Sequence, residues 1–465
     1  MASVSPEAPL EGQGRVQVSV YSRFRPLQKR TITAIAAFCG FLAQASTTSV
    51  LAAVPEIVET FHTTANVISI SNAVYLAFMG LSSLIWGPWA DIFGRRSAYL
   101  YSITLFLVFT IGTALAPQLE LFFLFRAFTA FQGTSFLILG SSCISDIYHP
   151  AYSLRLQTER ATSLGWFLSG TTVGPAFGPL LGGIVVTFTS WRVIFWIQAS
   201  LAATALVLVF FCLPETLHQS RESELTGLGP LEKCSKLWQW GNPIRVVKIY
   251  GNRNMLLICL ASSSLVWNMY SLLTPIRYVL NPRFHLTTPL QSGLLYIAPG
   301  AGYVIGCQIG GRWADYTVSS WIRKRGIRLP EDRLRSSLVF LGLMLPGSMV
   351  LYGWTLDKKF GGIPLPIICM FLQGIAQLAA FPSLNAYILD VMQHQNGEAS
   401  ASHYLMRYMC AGLATAVCLP LIEAIGVGWV STMSAVIQFI CAGLVYLTVR
   451  LGEGWRQTHQ VPVPL

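Results

Sequence analysis

The stretch GPWADIFGRRSAYL, residues 87–100, places one carboxylate and two adjacent arginines between two long apolar runs. Gly94 gives the backbone the freedom that a tight turn between two helices needs. An unpaired carboxylate at the border of a membrane is costly, so Asp91 needs a cation or the positive end of a neighbouring helix. The stretch therefore predicts a turn between two membrane-spanning helices, with its charges at the water boundary.

The composition of the whole chain agrees with this interpretation. Of the 465 residues, 53% are hydrophobic and only 11% are charged, whereas a soluble domain has about 25% charged residues. A bilayer core about 30 Å thick is crossed by about 20 apolar residues in a helix. We predict an all-α membrane protein with twelve transmembrane helices, near 31–54, 67–90, 97–116, 120–145, 161–187, 191–213, 254–280, 291–313, 336–356, 363–389, 400–423 and 428–449.

The chain contains an internal repeat on either side of a polar segment. GPWAD at 87–91 is matched by GRWAD at 311–315, and Asp146 and Asp390 end the fourth and tenth predicted spans. Two related halves predict two pseudo-symmetric six-helix bundles, an organisation that many transporters share. The predicted parts are a tail at 1–30, a bundle at 31–213, a linker at 214–253, a bundle at 254–450 and a tail at 451–465.

The net charge of +11 is distributed as in a membrane protein and not as in a nucleic-acid-binding one. Most of the 31 Lys and Arg residues lie on the side that both termini share, which predicts that both termini are cytosolic. The polar residues before the first span lead us to expect no cleaved signal peptide. The 10 Cys show no metal-ligand spacing, so we expect no metal or other cofactor. The opposite side has Arg192, Arg277, Arg283, Lys358 and Lys359.

Three motifs resemble signatures of the major facilitator superfamily. Residues 87–96 resemble its loop 2–3 signature, in which the Asp and Arg residues form a cytosolic gate latch. FRAFTAFQGTS at 125–135 resembles its span 4 motif, and LSGTTVGPAFGPLLGG at 168–183 resembles the span 5 motif of its antiporters. The resemblance implies twelve helices, alternating access and proton coupling. A fixed topology anchor stays the alternative to a latch at Asp91.

The resemblance and the repeat together assign a predicted gate latch. The second half departs from the signature, because Tyr316 and Thr317 follow the aspartate of GRWAD, and we expect a weaker latch there. Seven extra residues, AYSLRLQ at 151–157, would displace Glu159 and Arg160 from the latch if they form a real loop; a mispredicted splice junction is the other explanation of the insert. The predicted latch residues are Asp91, Gly94, Arg95, Arg96, Asp146, Glu159, Arg160 and Asp315.

The span 5 motif has a physical meaning of its own. Four glycines recur every four residues, so they lie on one helix face and permit another helix to approach closely. Two prolines on the next row each remove a backbone donor and can bend the helix. We predict a close-packed pivot between the halves, with tight packing alone as the alternative, at Gly170, Gly174, Pro175, Gly178, Pro179 and Gly182.

No acidic residue lies in the middle of a predicted span, and the charges inside the apolar runs are two arginines. An intramembrane arginine is a functional candidate because burying it is costly. Arg126 could be held by backbone carbonyls, could bind an anionic substrate, or could sense the protonation of a carboxylate. The superfamily arrangement gives as substrate or coupling residues Arg126, Gln132, Gln44, Asn268, Gln373, Asn385 and Arg407. The candidates for the group that carries the proton are Asp91, Asp146, His403 and the substrate's own carboxyl group.

Further segments resemble particular branches of the superfamily. ISNAVYLAFMGLSSLIWGP at 70–88 resembles fungal drug:proton antiporters, and PRFHLTT at 282–288 and KRGIRLPEDRL at 324–334 resemble itaconate exporters of filamentous fungi. The resemblance implies a secondary active exporter of a small organic acid, such as itaconate, or of a related secondary metabolite. A broad multidrug efflux permease and a non-transporting sensor of the same fold are the alternatives.

The same resemblance sets the expected partners. They are an anionic small molecule, protons and the lipid bilayer of the plasma membrane, with a monomeric protein and no nucleic acid. The sequence has no Gly-rich Lys-Ser/Thr loop for ATP, so we expect transport to use gradients. It also has no mid-membrane carboxylate pair or His cluster, so we expect no enzyme activity.

Overall fold

The structure is a computed structural model that describes residues 24–148, 154–217, 229–286, 288–327, 329–392 and 396–459. Within these ranges every regular element is a helix, and 12 segments are long and apolar enough to cross a membrane. The predicted all-α fold with twelve transmembrane helices is therefore confirmed. We number these segments α1 Pro26–Ala52, α2 Ala65–Phe93, α3 Arg95–Leu115, α4 Leu119–Ile147, α5 Gly165–Phe188, α6 Arg192–Cys212, α7 Arg253–Phe284, α8 Pro289–Arg325, α9 Glu331–Asp357, α10 Pro364–Val391, α11 Gly397–Ile425 and α12 Val427–Arg456.

The largest difference from the predicted spans is at α8. Apolar character ends near residue 313, yet the helix continues for about three more turns, mostly polar, to Arg325. Three cations in its last turn, Arg323, Lys324 and Arg325, stabilise the carbonyl end of the helix, and Gly326 follows with a φ of 76°. A hydropathy pattern cannot detect this extension because the extra turns lie outside the apolar run.

Two of the spans contain irregular turns at the same end of the molecule. The end of α1 is a 3-10 turn, Val50–Ala52, and α7 contains a π-helical turn, Ile276–Leu280. A π-helical turn leaves part of the helical hydrogen-bond pattern broken and often occurs at functional sites. The two turns lie next to each other. The Arg277 side chain in the second turn donates a hydrogen bond to the carbonyl oxygen of Ala52 in the first.

The buried apolar side chains form separate cores in the two halves and one cluster between them. The largest core belongs to the second half, and two smaller ones belong to the first half. The shared cluster joins Tyr75 and Met79 of α2 to Tyr270 of α7 and Tyr408 of α11. It therefore holds the two halves together at the middle of the molecule.

The segment between the halves is partly helical, whereas the sequence predicted only a solvated linker. Its described part contains the helices Pro230–Gly241 and Pro243–Lys248, the second of which contacts α2 and α11 and buries Val246. A proline at the start of each helix fixes the first turn, and Asn242 caps the second by accepting from the backbone N–H of Ile244. We call the face of the molecule that carries these helices the linker face, and the opposite one the far face.

The glycine stripe of α5 packs against α1. A Cβ atom at Gly170 would lie 2.7 Å from the carbonyl oxygen of Ala37, and one at Gly174 would lie 2.9 Å from the backbone nitrogen of Ala45. Gly178 and Gly182 continue the same contact toward the far face, as far as Ser49. Only glycine permits two helix backbones to approach this closely. The prolines Pro175 and Pro179 lie inside the continuous helix Leu154–Phe188.

Candidate functional site

A small cavity lies between the two halves, near the middle of the spans. Its walls come from α1, α4 and α5 of the first half and from α7, α8, α10 and α11 of the second. The volume is about 60 Å³, which admits a few water molecules, whereas ligand sites usually have about 300–1,000 Å³. The cavity is thus smaller than a typical ligand site. Its lining includes Gln44, Tyr270, Gln377, Phe381, Tyr404, Arg407 and Tyr408.

Among the described residues that line this cavity, Arg407 alone is charged. Its guanidinium carbon lies 4.4 Å from the centroid of the Phe381 ring and 5.5 Å from that of Tyr408. No carboxylate of a described residue lies within ion-pair distance, and its Nε donates no hydrogen bond to a described residue. The aromatic faces stabilise the cation and leave its N–H groups available to an anion.

Amide side chains supply the neutral polar groups of the cavity. Gln44 Nε2 donates to the hydroxyl oxygen of Tyr408 over 3.0 Å, which joins α1 of the first half to α11 of the second. Gln373 Nε2 donates to Gln377 Oε1 over 2.8 Å within α10. A ligand in the cavity therefore meets one cation, two amides and a ring of tyrosines.

The aromatic side chains around Arg407 were not among the predicted site residues. Tyr404, Arg407 and Tyr408 are spaced so that they lie on one face of a helix, and Phe381 reaches the same point from α10. The run HYLMRY at 403–408 carries this spacing and is the signal that could have identified them.

The structure places Arg126 outside the lining of the cavity. Its side chain is 1% exposed, and Nη2 donates to Asn72 Oδ1 over 2.9 Å. The guanidinium lies over the rings of Tyr75 and Phe122, at 5.0 Å and 5.5 Å. Among the described residues, none accepts from its Nε or Nη1. In this state Arg126 belongs to a buried polar group within the first half.

The other predicted substrate residues fall into two groups. Gln44 lines the cavity together with Arg407. Asn268 instead donates to Gln438 Oε1 of α12 over 3.1 Å, which ties α7 to its neighbour inside the second half. The predicted residues that do not line the cavity are Arg126, Gln132, Asn268, Gln373 and Asn385.

Arg95 connects three spans at the linker face. Its Nη1 lies 2.7 Å from Asp91 Oδ1 at the end of α2, and its Nε donates to Asp146 Oδ2 at the end of α4 over 3.1 Å. The Asp91 side chain is 49% exposed, whereas that of Asp146 is only 17% exposed. The pair with Asp146 is therefore the better shielded from water and the stronger of the two.

Glu215 is a further member of this group that the sequence did not predict. Its carboxylate accepts from the backbone N–H groups of Arg95 over 2.8 Å and of Arg96 over 3.1 Å, at the positive end of α3. Gly94 has a φ of 95°, and a Cβ atom there would press on the Glu215 carboxylate. Glu215 lies in LPET, 213–216, directly after α6, where one acid in an apolar context is the available signal.

The second half has a related group with the charges exchanged. Glu331 in the first turn of α9 accepts from Arg456 Nε over 2.9 Å and from Arg456 Nη2 over 2.8 Å. In the first half the acid, Glu215, follows the sixth span and contacts the start of the third. In the second half the acid, Glu331, begins the third span of that half and the cation, Arg456, ends its sixth.

The two other aspartates of the repeat differ in their contacts. Asp315 is exposed and forms no ion pair with any residue that the structure describes, while Asp390 lies 3.9 Å from Arg333.

Two predicted latch residues and part of the insert cannot be placed in this group. The side chains of Glu159 and Arg160 lie outside the described residues, although their backbone belongs to the helix that begins at Leu154. Of the extra segment AYSLRLQ, residues 151–153 lie outside the described residues, and 154–157 form the start of that helix.

At the far face an ion pair joins the two halves. Arg277 of α7 lies 2.6 Å from Glu56 Oε1 and 2.8 Å from Glu56 Oε2, and it also donates to the carbonyl oxygen of Ala52. Both partners lie beside the irregular turns of α1 and α7, where the backbone is less tightly hydrogen-bonded. The pair thus closes the contact between the halves at this face.

We expect Asp146→Asn to slow transport more than Asp91→Asn. The neutral amide at position 146 would leave Arg95 with its exposed partner only, and a charged hydrogen bond of this kind changes a rate by about tenfold or more. Loss of the exposed pair should cost less than about threefold. The measurement is the transport rate per molecule of variants that reach the membrane in equal amounts; a larger effect of Asp91→Asn would contradict the structural ranking.

Comparisons of the sequence and of the fold with known proteins all identify membrane transporters. The sequence profile of the Major Facilitator Superfamily matches residues 36–415. Dityrosine transporter 1 of Saccharomyces cerevisiae is 24% identical, over 92% of this chain and 81% of its own length. The MFS antiporter QDR3 of Candida albicans is 23% identical, over 93% of this chain and 79% of its own length. The crystal structure of the human organic anion transporter MFSD10 superimposes with a TM-score of 0.67 and 15% identity, over 91% of this chain and 100% of that one.

The family match extends over most of the chain, and the human structure shares the fold. The relatives are transporters and efflux proteins of fungi, as the motifs of the first half indicated. The protein is therefore a multi-pass membrane transporter, not an enzyme, and belongs to the Major Facilitator Superfamily.

Proposed function

We propose that this transporter exports a small organic anion, with a dicarboxylate such as itaconate as the best candidate. The observation that carries the proposal is the guanidinium of Arg407, which lines the central cavity and forms no ion pair with a residue that the structure describes. A partly buried cation that lines a cavity gains from an anionic ligand, and a guanidinium binds a carboxylate through two parallel hydrogen bonds. The aromatic lining suits the carbon skeleton of the acid.

The amides of the cavity provide for a second carboxylate. Gln44 and Gln377 both line the cavity, and Gln44 donates to the hydroxyl of Tyr408, whose ring lies 5.5 Å from the Arg407 guanidinium. A short diacid can place one carboxylate on Arg407 and the other on these neutral donors. The human protein of shared fold is an organic anion transporter, which agrees with this substrate class but is a property of that protein.

Alternating access requires the halves to separate in turn at the two faces. The present cavity is too small for an organic acid, so loading requires it to widen, and release at the far face requires the pair of Arg277 and Glu56 to open. We propose that the linker face is cytosolic, since the described cations Lys29, Arg245 and Arg456 lie there, and that the protein resides in the plasma membrane.

A broad multidrug permease is the second candidate, and one observation favours it. Most of the cavity lining is apolar or aromatic, which also suits neutral drugs. The two functions differ in what Arg407 contributes, because a neutral drug gains little from a cation whereas a carboxylate depends on it.

The test is a comparison of metabolites in medium and cells with and without the gene, in a host that makes a dicarboxylic acid. We expect the acid to move from the cells to the medium when the chain is expressed, and its dimethyl ester to distribute equally in both strains. Export of neutral or cationic drugs without export of the acid would contradict the proposal and support the multidrug permease.

A further inference from the structure

We propose that a groove on the outside of the first half binds an anionic phospholipid from the leaflet at the linker face. The groove runs between α1 and α5 and has a volume of about 1020 Å³, compared with about 60 Å³ for the central cavity. Among the residues that the structure describes, the two cavities have no lining residue in common. The groove is therefore a separate site, and the inference does not depend on the proposed substrate.

The groove opens toward the lipid and away from the central cavity. On α5, Trp166 and Val173 line the groove, and they lie on the helix face opposite to Thr171 and Pro175, which line the central cavity. Trp166 is 69% exposed although it lies within a membrane span. An exposed apolar surface within a span contacts the acyl chains of the bilayer.

The length of the groove matches the thickness of one leaflet. On α1 the lining extends from Arg30 to Phe41, which is about 16 Å at about 1.5 Å per residue. On α5 it extends from Ser163 to Val173, which is about 15 Å. One leaflet contributes about 15 Å to the hydrocarbon core. A single acyl chain can therefore follow the groove from the water boundary to the middle of the membrane.

The polarity of the lining changes along this length as it does along a phospholipid. At the linker face the lining has the cations Lys29 and Arg30 and the hydroxyls of Tyr148 and Ser163, and none of the described lining residues is an acid. Toward the middle of the membrane the lining is apolar. The apolar lining residues are Ala34, Ala37, Phe38, Phe41, Trp166 and Val173.

The two cations are placed to hold a phosphate at the membrane surface. Lys29 Nζ lies 4.9 Å from the centroid of the Tyr148 ring, and the Tyr148 hydroxyl accepts from Ser163 Oγ over 2.7 Å. Arg30 is exposed, so its long side chain can place the guanidinium at the level of the headgroups. A guanidinium binds a phosphate through two hydrogen bonds, and basic residues at the surface attract anionic lipid. This end of the groove therefore favours an anionic headgroup over a zwitterionic one.

A lipid in the groove contacts both helices of the closest packing in the first half. Gly170 belongs to the lining, and a Cβ atom there would lie 2.7 Å from the carbonyl oxygen of Ala37 on α1. Further along α1, Gln44 lines the central cavity. An occupied groove thus stabilises the contact of α1 with α5 that positions this amide.

The test measures lipid binding to the purified full-length protein by native mass spectrometry, after removal of copurified lipid. We expect dioleoylphosphatidylserine to bind at least about fivefold more tightly than dioleoylphosphatidylcholine, because each basic residue near an anionic lipid contributes about this factor. Glycerophosphoserine, the same headgroup without acyl chains, should not displace the lipid. Equal affinity for the two lipids, or displacement by the headgroup alone, would overturn the inference. This comparison needs no variant.

A charge variant tests the headgroup end of the groove. Arg30→Gln should weaken binding of phosphatidylserine about fivefold and leave binding of phosphatidylcholine unchanged. The matched control is Arg253, which is also exposed and begins α7, the first span of the other half. Arg253→Gln should bind both lipids as the parent does. An equal loss of affinity in the two variants would mean that the lipid responds to the overall charge and not to the groove, which contradicts the inference.

A second variant tests the acyl-chain end. Ala34 is exposed in the lining, so Ala34→Phe fills the groove without entering the core, and it should reduce phosphatidylserine binding about as much as Arg30→Gln does. Val108→Phe on α3, where the parent side chain is 55% exposed and outside the groove, should have no effect. Parent affinity in both Arg30→Gln and Ala34→Phe would show that the lipid binds elsewhere.

Discussion

Replacement of Arg407 by Gln is expected to abolish export of the organic acid, with the protein still inserted in its membrane. Gln keeps hydrogen-bonding groups but removes the charge that the cavity offers to a carboxylate. Arg407→Lys should retain the charge and lose the planar fork, so we expect transport to fall by about 10- to 100-fold, the equivalent of about 1.5–3 kcal/mol for a charged hydrogen bond. The initial rate of itaconate export per molecule of protein is the measurement.

Arg450 on α12 provides a matched control for this pair of variants. Its guanidinium lies over the ring of Tyr446 at 5.3 Å, as that of Arg407 lies over Phe381, but it is exposed and remote from the cavity. Arg450→Gln and Arg450→Lys should both transport at the parent rate. If Arg407→Gln exports the free acid as well as Arg450→Gln does, Arg407 does not bind the substrate carboxylate.

Gly174→Leu is expected to reduce transport at least about tenfold, because overpacking of a close helix contact costs about 1–3 kcal/mol or more. A Cβ atom at position 174 would already lie 2.6 Å from Cβ of Gln44. The rest of the leucine side chain would push α5 away from α1 and displace Gln44 from Tyr408, which links the packing defect to the cavity. Both the amount of folded protein and its transport rate should fall.

Gly165 on the same helix is the control for this substitution. A Cβ atom there would meet nothing within 4 Å, so Gly165→Leu adds the same side chain without the collision. We expect its expression and its transport rate to stay near those of the parent. Equal and mild effects of both variants would show that α1 and α5 are not closely packed in the membrane.

The twelve-helix fold could be predicted because lipid imposes a simple rule on composition. Each span must be apolar over a fixed length, and the starts of α3, α4 and α6 were predicted to within a few residues. The polar end of α8 and the helices of the linker were not predicted, since they lie in water, where apolar length carries no information. The turn at Gly94 was predicted from its chemistry, and its φ of 95° agrees with that reason.

The candidate site was only partly accessible to sequence reasoning. Arg407 was identified because charge inside a span is conspicuous, but its importance relative to Arg126 depends on which helix face each occupies. Tyr408 and Phe381 look like ordinary membrane aromatics until α10 and α11 are placed side by side. The ion pair of Arg277 with Glu56 joins residues 221 positions apart, and no local pattern connects them.

The last charged contact in each half has a consequence for synthesis of the protein. Glu215 caps α3 from a position 119 to 120 residues later, and Arg456 reaches Glu331 across 125 residues. At about 5–20 residues per second, each helix end waits roughly 6–25 s for its partner to leave the ribosome. During that interval water or the insertion machinery must hold the backbone N–H groups at the start of α3, and the carboxylate of Glu331 has the hydroxyl of Tyr387, 56 residues later, before it has Arg456. Each half thus becomes electrostatically complete only when its final residues emerge, so the order of translation sets the order in which the two bundles mature.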